Sequence, residues 1–308
     1  MSDLKLESTL MRRVTLLSVT IAIIIVTVKI IAWFFTDSLS LLSSLVDSVF
    51  DILASCVGFF AVRVALEPAD EDHRFGHGKA EDIAAFSQSA FIAGSGIFIL
   101  GESIRRIFIP HKIDNTDIGI LVMLISTFLT LILITYQQYV IKKTNSSVIK
   151  ADNLHYKGDL LVNLLVIFSF FSVKFFDMHI ADPLLAFVIA LYIFKCAWKI
   201  AIEALDNLMD KEMEDVEKKK IIDIILDHAG VLGMHDLKTR RSGRHPFIQF
   251  HLEIKGEVSL KKAHEISEKV EKSLLKSFPK AEILIHQDPK ADKPLSLNYR
   301  QVVPVKRR

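Results

Sequence analysis

The sequence predicts a membrane all-α domain of six transmembrane helices followed by a small cytoplasmic α+β domain, on three observations. Half of the 308 residues are hydrophobic (51%) and the mean hydropathy is positive, more apolar than a soluble domain with an ordinary charged surface. Six stretches meet the length of about 20 mostly apolar residues that a spanning helix needs. From Asp210 onward the long apolar runs stop and short amphipathic segments replace them. The predicted organisation is therefore a six-span domain over 1–209, a cytoplasmic domain over 210–290 and a flexible basic tail over 291–308.

The six spans are expected at about 14–35, 38–66, 81–108, 117–141, 154–176 and 182–208. The first, Val14 to Phe35, follows Arg12 and Arg13 and lacks a small-x-small cleavage site, so it reads as a retained helix and not a signal peptide. Arg12, Arg13, Arg63, Arg74, Lys79, Lys142, Lys143 and Lys150 fall on one side of the membrane, against Arg105, Arg106, Lys112 and Lys174 on the other. The positive-inside bias then places both termini in the cytoplasm, with the Arg105/Arg106 pair opposing it.

In the last third, Val216, Ile221, Ile224 and Ile225 recur at a helical period over 214–228. A strand is expected near 234–241. Residues 247–254 alternate, with Ile248, Phe250, Leu252 and Ile254 on one face and Phe247, Gln249, His251 and Glu253 on the other, the pattern of a half-buried strand. Leu260 to Phe278 reads as a helix stopped by Pro279, and Ala281 to His286 as a strand with Ile283 and Ile285 inward. The order is αββαβ.

Several function classes drop out on composition. Net charge is only +2 and the 38 Lys and Arg are dispersed, so there is no nucleic-acid footprint. Cys56 and Cys196 lie singly in apolar runs, which argues against disulfides and thiolate metal sites. There is no HExxH helix for a metalloprotease and no Gly-rich ATP loop of the GxxxxGKS or GxxxxGKT type. The chain does not read as an enzyme.

The informative residues are charges that do not belong in a membrane. Ser40, Ser44, Asp47, Asp51 and Ser55 follow one another at spacings of four, three, four and four, one polar stripe on the second span. An ionised carboxylate at mid-bilayer costs about 2.5–3.5 kcal/mol even on the lenient insertion scale, so the stripe needs a partner or a cavity. His155, Asp159 and Asn163 supply a matching stripe on the fifth span. Asp47, Asp51, His155 and Asp159 together can enclose a tetrahedral ion with arms of about 2.0–2.2 Å. Mixed nitrogen and oxygen ligation suits Zn2+, Cd2+ or Fe2+ better than Mg2+ or Mn2+. A proton relay or a buried ion-pair cluster without metal uses the same residue types. Elsewhere, Asp70, His73 and His77 sit on a turn with Gly76 and Gly78 and can form a shallow, solvent-open metal site.

These residues resemble the cation diffusion facilitator family, and within it the bacterial zinc and ferrous-iron efflux subgroup, over about Arg12 to Pro289. The most specific segment is the run from Asp70 to Glu81, Asp-Glu-Asp-His-Arg-Phe-Gly-His-Gly-Lys-Ala-Glu. The resemblance implies that Asp70, His73 and His77 form a second metal site. It implies a binuclear cytoplasmic site at His235, His251, His264, His286 and Asp288, in a copper-chaperone-like domain through which the protein forms homodimers. It also implies a charge interlock between Lys79 and Asp210 at the dimer interface. Strand alternation independently places His286 and Asp288 on one face and His251 on the polar face of its strand, whereas His264 rests on the resemblance. His111, His179, His228 and His245 are left as ordinary histidines. His155 stands where manganese carriers have Asp, and the 142–150 loop lacks the His-rich insert of many eukaryotic relatives.

The expected function is a divalent cation/proton antiporter of a bacterial inner membrane, exporting Zn2+ from the cytoplasm by alternating access, with Cd2+ or Fe2+ as other cargoes. Protons are the counter-substrate, because the lone pairs that bind metal also accept protons. A cation channel or a non-transporting membrane metal sensor are the alternatives.

Overall fold

The computed structural model describes residues 2–36, 39–108, 117–176, 181–290 and 303–304. The chain forms two compact units, Met1–Leu205 and Asp206–Arg308. Helices α1 (Ser2–Thr36), α2 (Leu39–Ala65), α3 (Ala80–Phe108), α4 (Asp117–Thr144), α5 (Ser147–Phe176) and α6 (Ala181–Leu208) come first. Five of them contain one of the six apolar stretches, and α2 lies within the second. Among the described residues, the helical segments Lys5–Phe35, Ala80–Arg105 and Leu124–Thr144 are long and apolar enough to cross a membrane. Large apolar side chains such as Phe35, Phe98 and Phe128 point outward, the surface expected of helices solvated by lipid.

Helix α1 packs on α2 and α4, α5 packs on α2, α3 and α4, and α2 also packs on α3. Small residues permit close approach, as is common between membrane helices: Gly158 on α5 faces Ile193 of α6, and Gly58 on α2 faces Gln88 of α3. Polar bonds connect the same helices. Gln137 on α4 donates to Asp152 on α5 at 2.7 Å and to Ser18 on α1 at 3.1 Å. The Asn153 amide donates to Gln137 Oε1 at 3.1 Å and to the Ile134 carbonyl at 3.2 Å. The Tyr156 hydroxyl lies 2.9 Å from Ser55 on α2. A buried polar group left without a bond costs about 1–3 kcal/mol, so this network fixes the relative rotation of α1, α2, α4 and α5.

The second unit follows the expected order: α7 (Asp215–Leu226), β1 (Gly233–Ser242), β2 (His245–Ile254), α8 (Leu260–Ser277) and β3 (Glu282–Pro289). A two-residue strand, β4 (Val303–Pro304), lies in the stretch read as tail and pairs with Gly233 and Met234 of β1. The sheet order is β3-β2-β1-β4, with β1 antiparallel and β3 parallel to β2. Helix α8, N-capped by Ser259, makes the crossover that a parallel pair requires. Ile248, Phe250, Leu252 and Ile254 are buried together with Ile221, Ile225, Val270 and Leu274, and Ile283 and Ile285 pack against them.

Two side chains depart from the expected faces. Val216 is 78% exposed: five residues before Ile221, it sits about 140° around the helix from it. Phe247, on the polar face, is buried, with the Arg240 guanidinium 4.3 Å from its ring centre, a cation–π cover.

Gly230, at the turn into β1, has φ +96°, and a Cβ there would meet Ile266 Cδ1 at 2.8 Å. Gly230→Ala is predicted to destabilise this unit by about 1–3 kcal/mol. Hydrogen–deuterium exchange on the full chain should show faster exchange of the α8 and β1 amides, and unchanged rates would contradict this reading.

Candidate metal sites

Three groups of carboxylates and imidazoles present ligand atoms within 4.8 Å of one another among the described residues: Asp51, His155 and Asp159; Asp70, His73 and His77; and His235, His251 and Asp288. On a tetrahedron with arms of about 2.0–2.2 Å, neighbouring ligand atoms stand about 3.4 Å apart. That spacing tests each group.

In the first group the α2–α5 contact brings the two polar stripes together. His155 Nε2 lies 2.8 Å from Asp51 Oδ1 and 3.7 Å from Asp159 Oδ2. One spacing is a hydrogen bond and the other slightly exceeds a tetrahedral edge, so the group needs only a small opening between Asp51 and His155 to surround an ion. Asp47 lies on α2 one turn before Asp51, its side chain outside the described residues. Asn163 continues the α5 stripe.

Two further charged residues near this group were not singled out from sequence. Asp152, three residues before His155, is buried and held by Gln137. It fell outside the predicted fifth span, which starts at 154, whereas α5 begins at Ser147. Lys29, inside the apolar α1, donates to Ser48 at 2.6 Å, next in sequence to Asp47. The insertion cost that flagged the carboxylates applies equally to lysine and was the available signal.

The second group lies on the turn joining α2 to α3. His73 Nδ1 is 3.4 Å from Asp70 Oδ1, His77 Nε2 is 3.3 Å from Asp70 Oδ2, and the two ring nitrogens are 3.2 Å apart. The two rings stand close to a tetrahedral edge apart, each faces its own Asp70 oxygen at a similar distance, and the exposure of Asp70 and His73 leaves the group open to solvent. The turn makes this possible. The backbone N–H groups of Asp72 and His73 donate to Asp70 Oδ1 at 3.1 and 2.6 Å, and Gly76, at φ +75°, folds the chain back so that its N–H reaches the His73 carbonyl. Gly78 does not adopt a positive φ. The His73 backbone bond holds the Asp70 carboxyl below the usual carboxylate range, helped by the His77 and His73 rings against a desolvation that opposes it. Asp70 therefore stays an anion to low pH.

The third group is built by strand register. His235, His251 and His286 are cross-strand neighbours on β1, β2 and β3, as are Glu253 and Asp288 on β2 and β3. A bulge after His235, with Asp236 at φ +50°, re-aims this end of β1. Asp288 uses both oxygens: Oδ2 is 3.1 Å from His235 Nε2 and 2.9 Å from His251 Nδ1, and Oδ1 is 3.1 Å from His286 Nε2. Burial alone would raise the Asp288 carboxyl, but the His251 bond and the three surrounding imidazoles hold it below its ordinary range. His235 is buried, and among the described residues its ring nitrogens face the Asp288 and Glu253 carboxylates without hydrogen-bond geometry, an arrangement that suits a metal ligand. Glu253, 3.3 Å from His235 Nδ1, was placed on the polar face from sequence but not selected as a ligand. His264 is exposed on α8 with Glu268 as its charged neighbour, and the fold does not bring it into this group.

Asp210 pairs with Arg240 at 3.2 Å in the second unit, while Lys79 precedes α3 in the first. His228 joins α7 to α8 through the Ile224 carbonyl and Ser273. His111 and His179 lie outside the described residues. Cys56 and Cys196 are free cysteines.

A family model described as the cation efflux transmembrane domain matches residues 15–209, and one described as the cation efflux protein cytoplasmic domain matches residues 213–290. The chain is 45% identical over 294 residues to Protein p34 of Rickettsia prowazekii (strain Madrid E), covering 96% of this chain and 97% of that protein. It is 45% identical over 269 residues to the cation-efflux pump FieF of Yersinia pestis (strain Pestoides F), covering 87% of this chain and 89% of that protein. Among solved structures, the metal-bound C-terminal domain of the CzcD transporter from Thermotoga maritima is 31% identical, covers 25% of this chain and 94% of that domain, and aligns with a TM-score of 0.23. With both parts of the chain matched, and relatives matched nearly end to end, this protein belongs to the cation diffusion facilitator family of cation efflux transporters.

Proposed function

We propose that this transporter exports Zn2+ from the cytoplasm in exchange for protons, by alternating access across six spans, with Cd2+ and Fe2+ as other cargoes. The observation that carries the proposal is His155 held between Asp51 and Asp159 at the contact of α2 and α5. An imidazole among carboxylates suits a borderline ion such as Zn2+ and is a poor match for one that prefers six oxygens. Asp47 completes the set as a fourth ligand. Each ligand must lose its proton to bind metal, so metal and protons compete for these four side chains. Protons returning to them displace the ion on the far side.

In this reading the protein is a homodimer in a bacterial inner membrane with both termini cytoplasmic. The six-span part covers 1–209, the metal-binding and dimerisation part 210–290 and the basic tail 291–308. Asp70, His73 and His77 form a weak, open site with a solvent corner. His235, His251, His286 and Asp288 form a binuclear regulatory site: the two oxygens of Asp288 face different imidazoles, which supports two ions sharing one carboxylate. His264 joins this site only through rearrangement or through the second subunit. Lys79 and Asp210 form the interlock across the dimer. Zn2+ binding in the second unit shifts the conformational equilibrium only as far as its affinities for the two states differ.

In proteoliposomes containing a pH dye, Zn2+ movement should depend on the pH gradient. Asp51→Ala should reduce it by at least the ~10–100-fold produced by losing a mere supporting partner of a metal site. Flux indifferent to the gradient contradicts antiport, and turnover far above about 10³ per second indicates a channel.

His155→Asp makes the cargo site all-oxygen, so competitive uptake should shift from Zn2+ toward Mn2+. An unchanged Zn2+ to Mn2+ ratio would contradict the role given to the imidazole.

A further inference from the structure

Between the C-terminal end of α4 and the first turns of α5 lies a shallow, open cavity of about 400 Å³. Lys142, Lys150 and Lys157 line it, together with the amides Gln138 and Asn153. The stripe is regular: 150, 153, 154 and 157 on α5 face 138, 141 and 142 on α4, each set at helical spacing. No carboxylate lines the cavity. Glu203 of α6 holds Lys150 at 2.9 Å, and among the described residues Lys142 and Lys157 have no ion-pair partner. With Lys150 paired, the like charges of Lys142 and Lys157 still face one cavity and repel one another, and an anion with several acceptor oxygens relieves that repulsion.

The position of the cavity selects the source of the anion. Along α4 the exposed Leu124, Phe128, Leu131 and Ile132 form an apolar outer surface, which ends at the exposed Tyr139 and then at Lys142 and Lys143. An aromatic followed by lysines marks the interfacial level of a membrane helix, and Ile141 and Leu154 give the cavity an apolar wall at that level. We infer that this cavity binds the phosphodiester headgroup of an anionic phospholipid, with Lys142 and Lys157 supplying the ammonium groups and Lys150 oriented by Glu203. Basic pockets between membrane helices are a recurrent place for such headgroups. The inference requires only a membrane location and is independent of the cargo and its counter-ion.

The test uses the detergent-solubilised full chain, freed of lipid and equilibrated with dioctanoyl phosphatidylglycerol, dioctanoyl phosphatidylcholine or inorganic phosphate, with bound molecules counted by native mass spectrometry. Phosphatidylglycerol should bind and phosphatidylcholine should not. Lys142→Gln or Lys157→Gln should each weaken binding about fivefold and the pair about 25-fold, while Lys143→Gln, one residue outside the cavity, should leave it unchanged. Undiminished binding in the double variant, or an equal loss in Lys143→Gln, overturns the assignment. Displacement of the lipid by an equal concentration of inorganic phosphate overturns the lipid source.

Discussion

Charged groups in an apolar bundle must be matched by a neighbour, and the contact of α2 with α5 is where the helical unit brings an imidazole and carboxylates together. Asp51, Asp152, His155 and Asp159 are all on these helices, with Lys29 nearby on α1. Most are met across a helix interface, His155 by Asp51, Asp152 by Gln137 and Lys29 by Ser48, with Tyr156 and Ser55 bonded alongside, while Asp159 faces His155 along α5. The bonds that hold the helices at one rotation are therefore the bonds that set ligand spacing. Any sliding of α5 against α2 changes the separation of Asp51 from His155, which is 2.8 Å where a bound ion requires about 3.4 Å.

The second unit solves the same problem with strand register. Lining up His235, His251 and His286 across three strands would leave three imidazoles stacked without an anion, and Asp288, two residues past His286 on β3, supplies it to all of them. The bulge at Asp236 bends the end of β1, and the α8 crossover fixes β3 parallel to β2. The sheet is small, but its core of Ile248, Phe250, Leu252 and Leu274 is fully buried, which backs the face that carries the three imidazoles.

Much of this was legible in the sequence, and the exceptions have physical reasons. The α2 and α5 stripes could be read because a helical period and an insertion cost are both local properties. The αββαβ order could be read because alternation in 247–254 and the stop at Pro279 are local too. Asp152 was missed because apolarity locates the hydrocarbon core, whereas α5 starts seven residues earlier and carries the polar run Asp152-Asn153 in its second turn. Lys29 was missed because a lone cation lacks the repeat that made the acidic stripe visible. Val216 was assigned to the buried face on proximity to the stripe although a spacing of five does not share it. Pairings such as Asp288 with three histidines depend on register, and the bulge that sets the register follows from no residue pattern in β1. His264 shows the converse: a residue assigned by resemblance which this fold leaves exposed on α8.

The most direct measurement of the central claim is zinc K-edge X-ray absorption on the full chain, with the loop and C-terminal groups removed by Asp70→Ala and Asp288→Ala. A cargo ion held between α2 and α5 gives one imidazole nitrogen and three carboxylate oxygens at about 2.0–2.2 Å. Loss of all bound zinc in this variant, or a shell of six oxygens without imidazole, would contradict it.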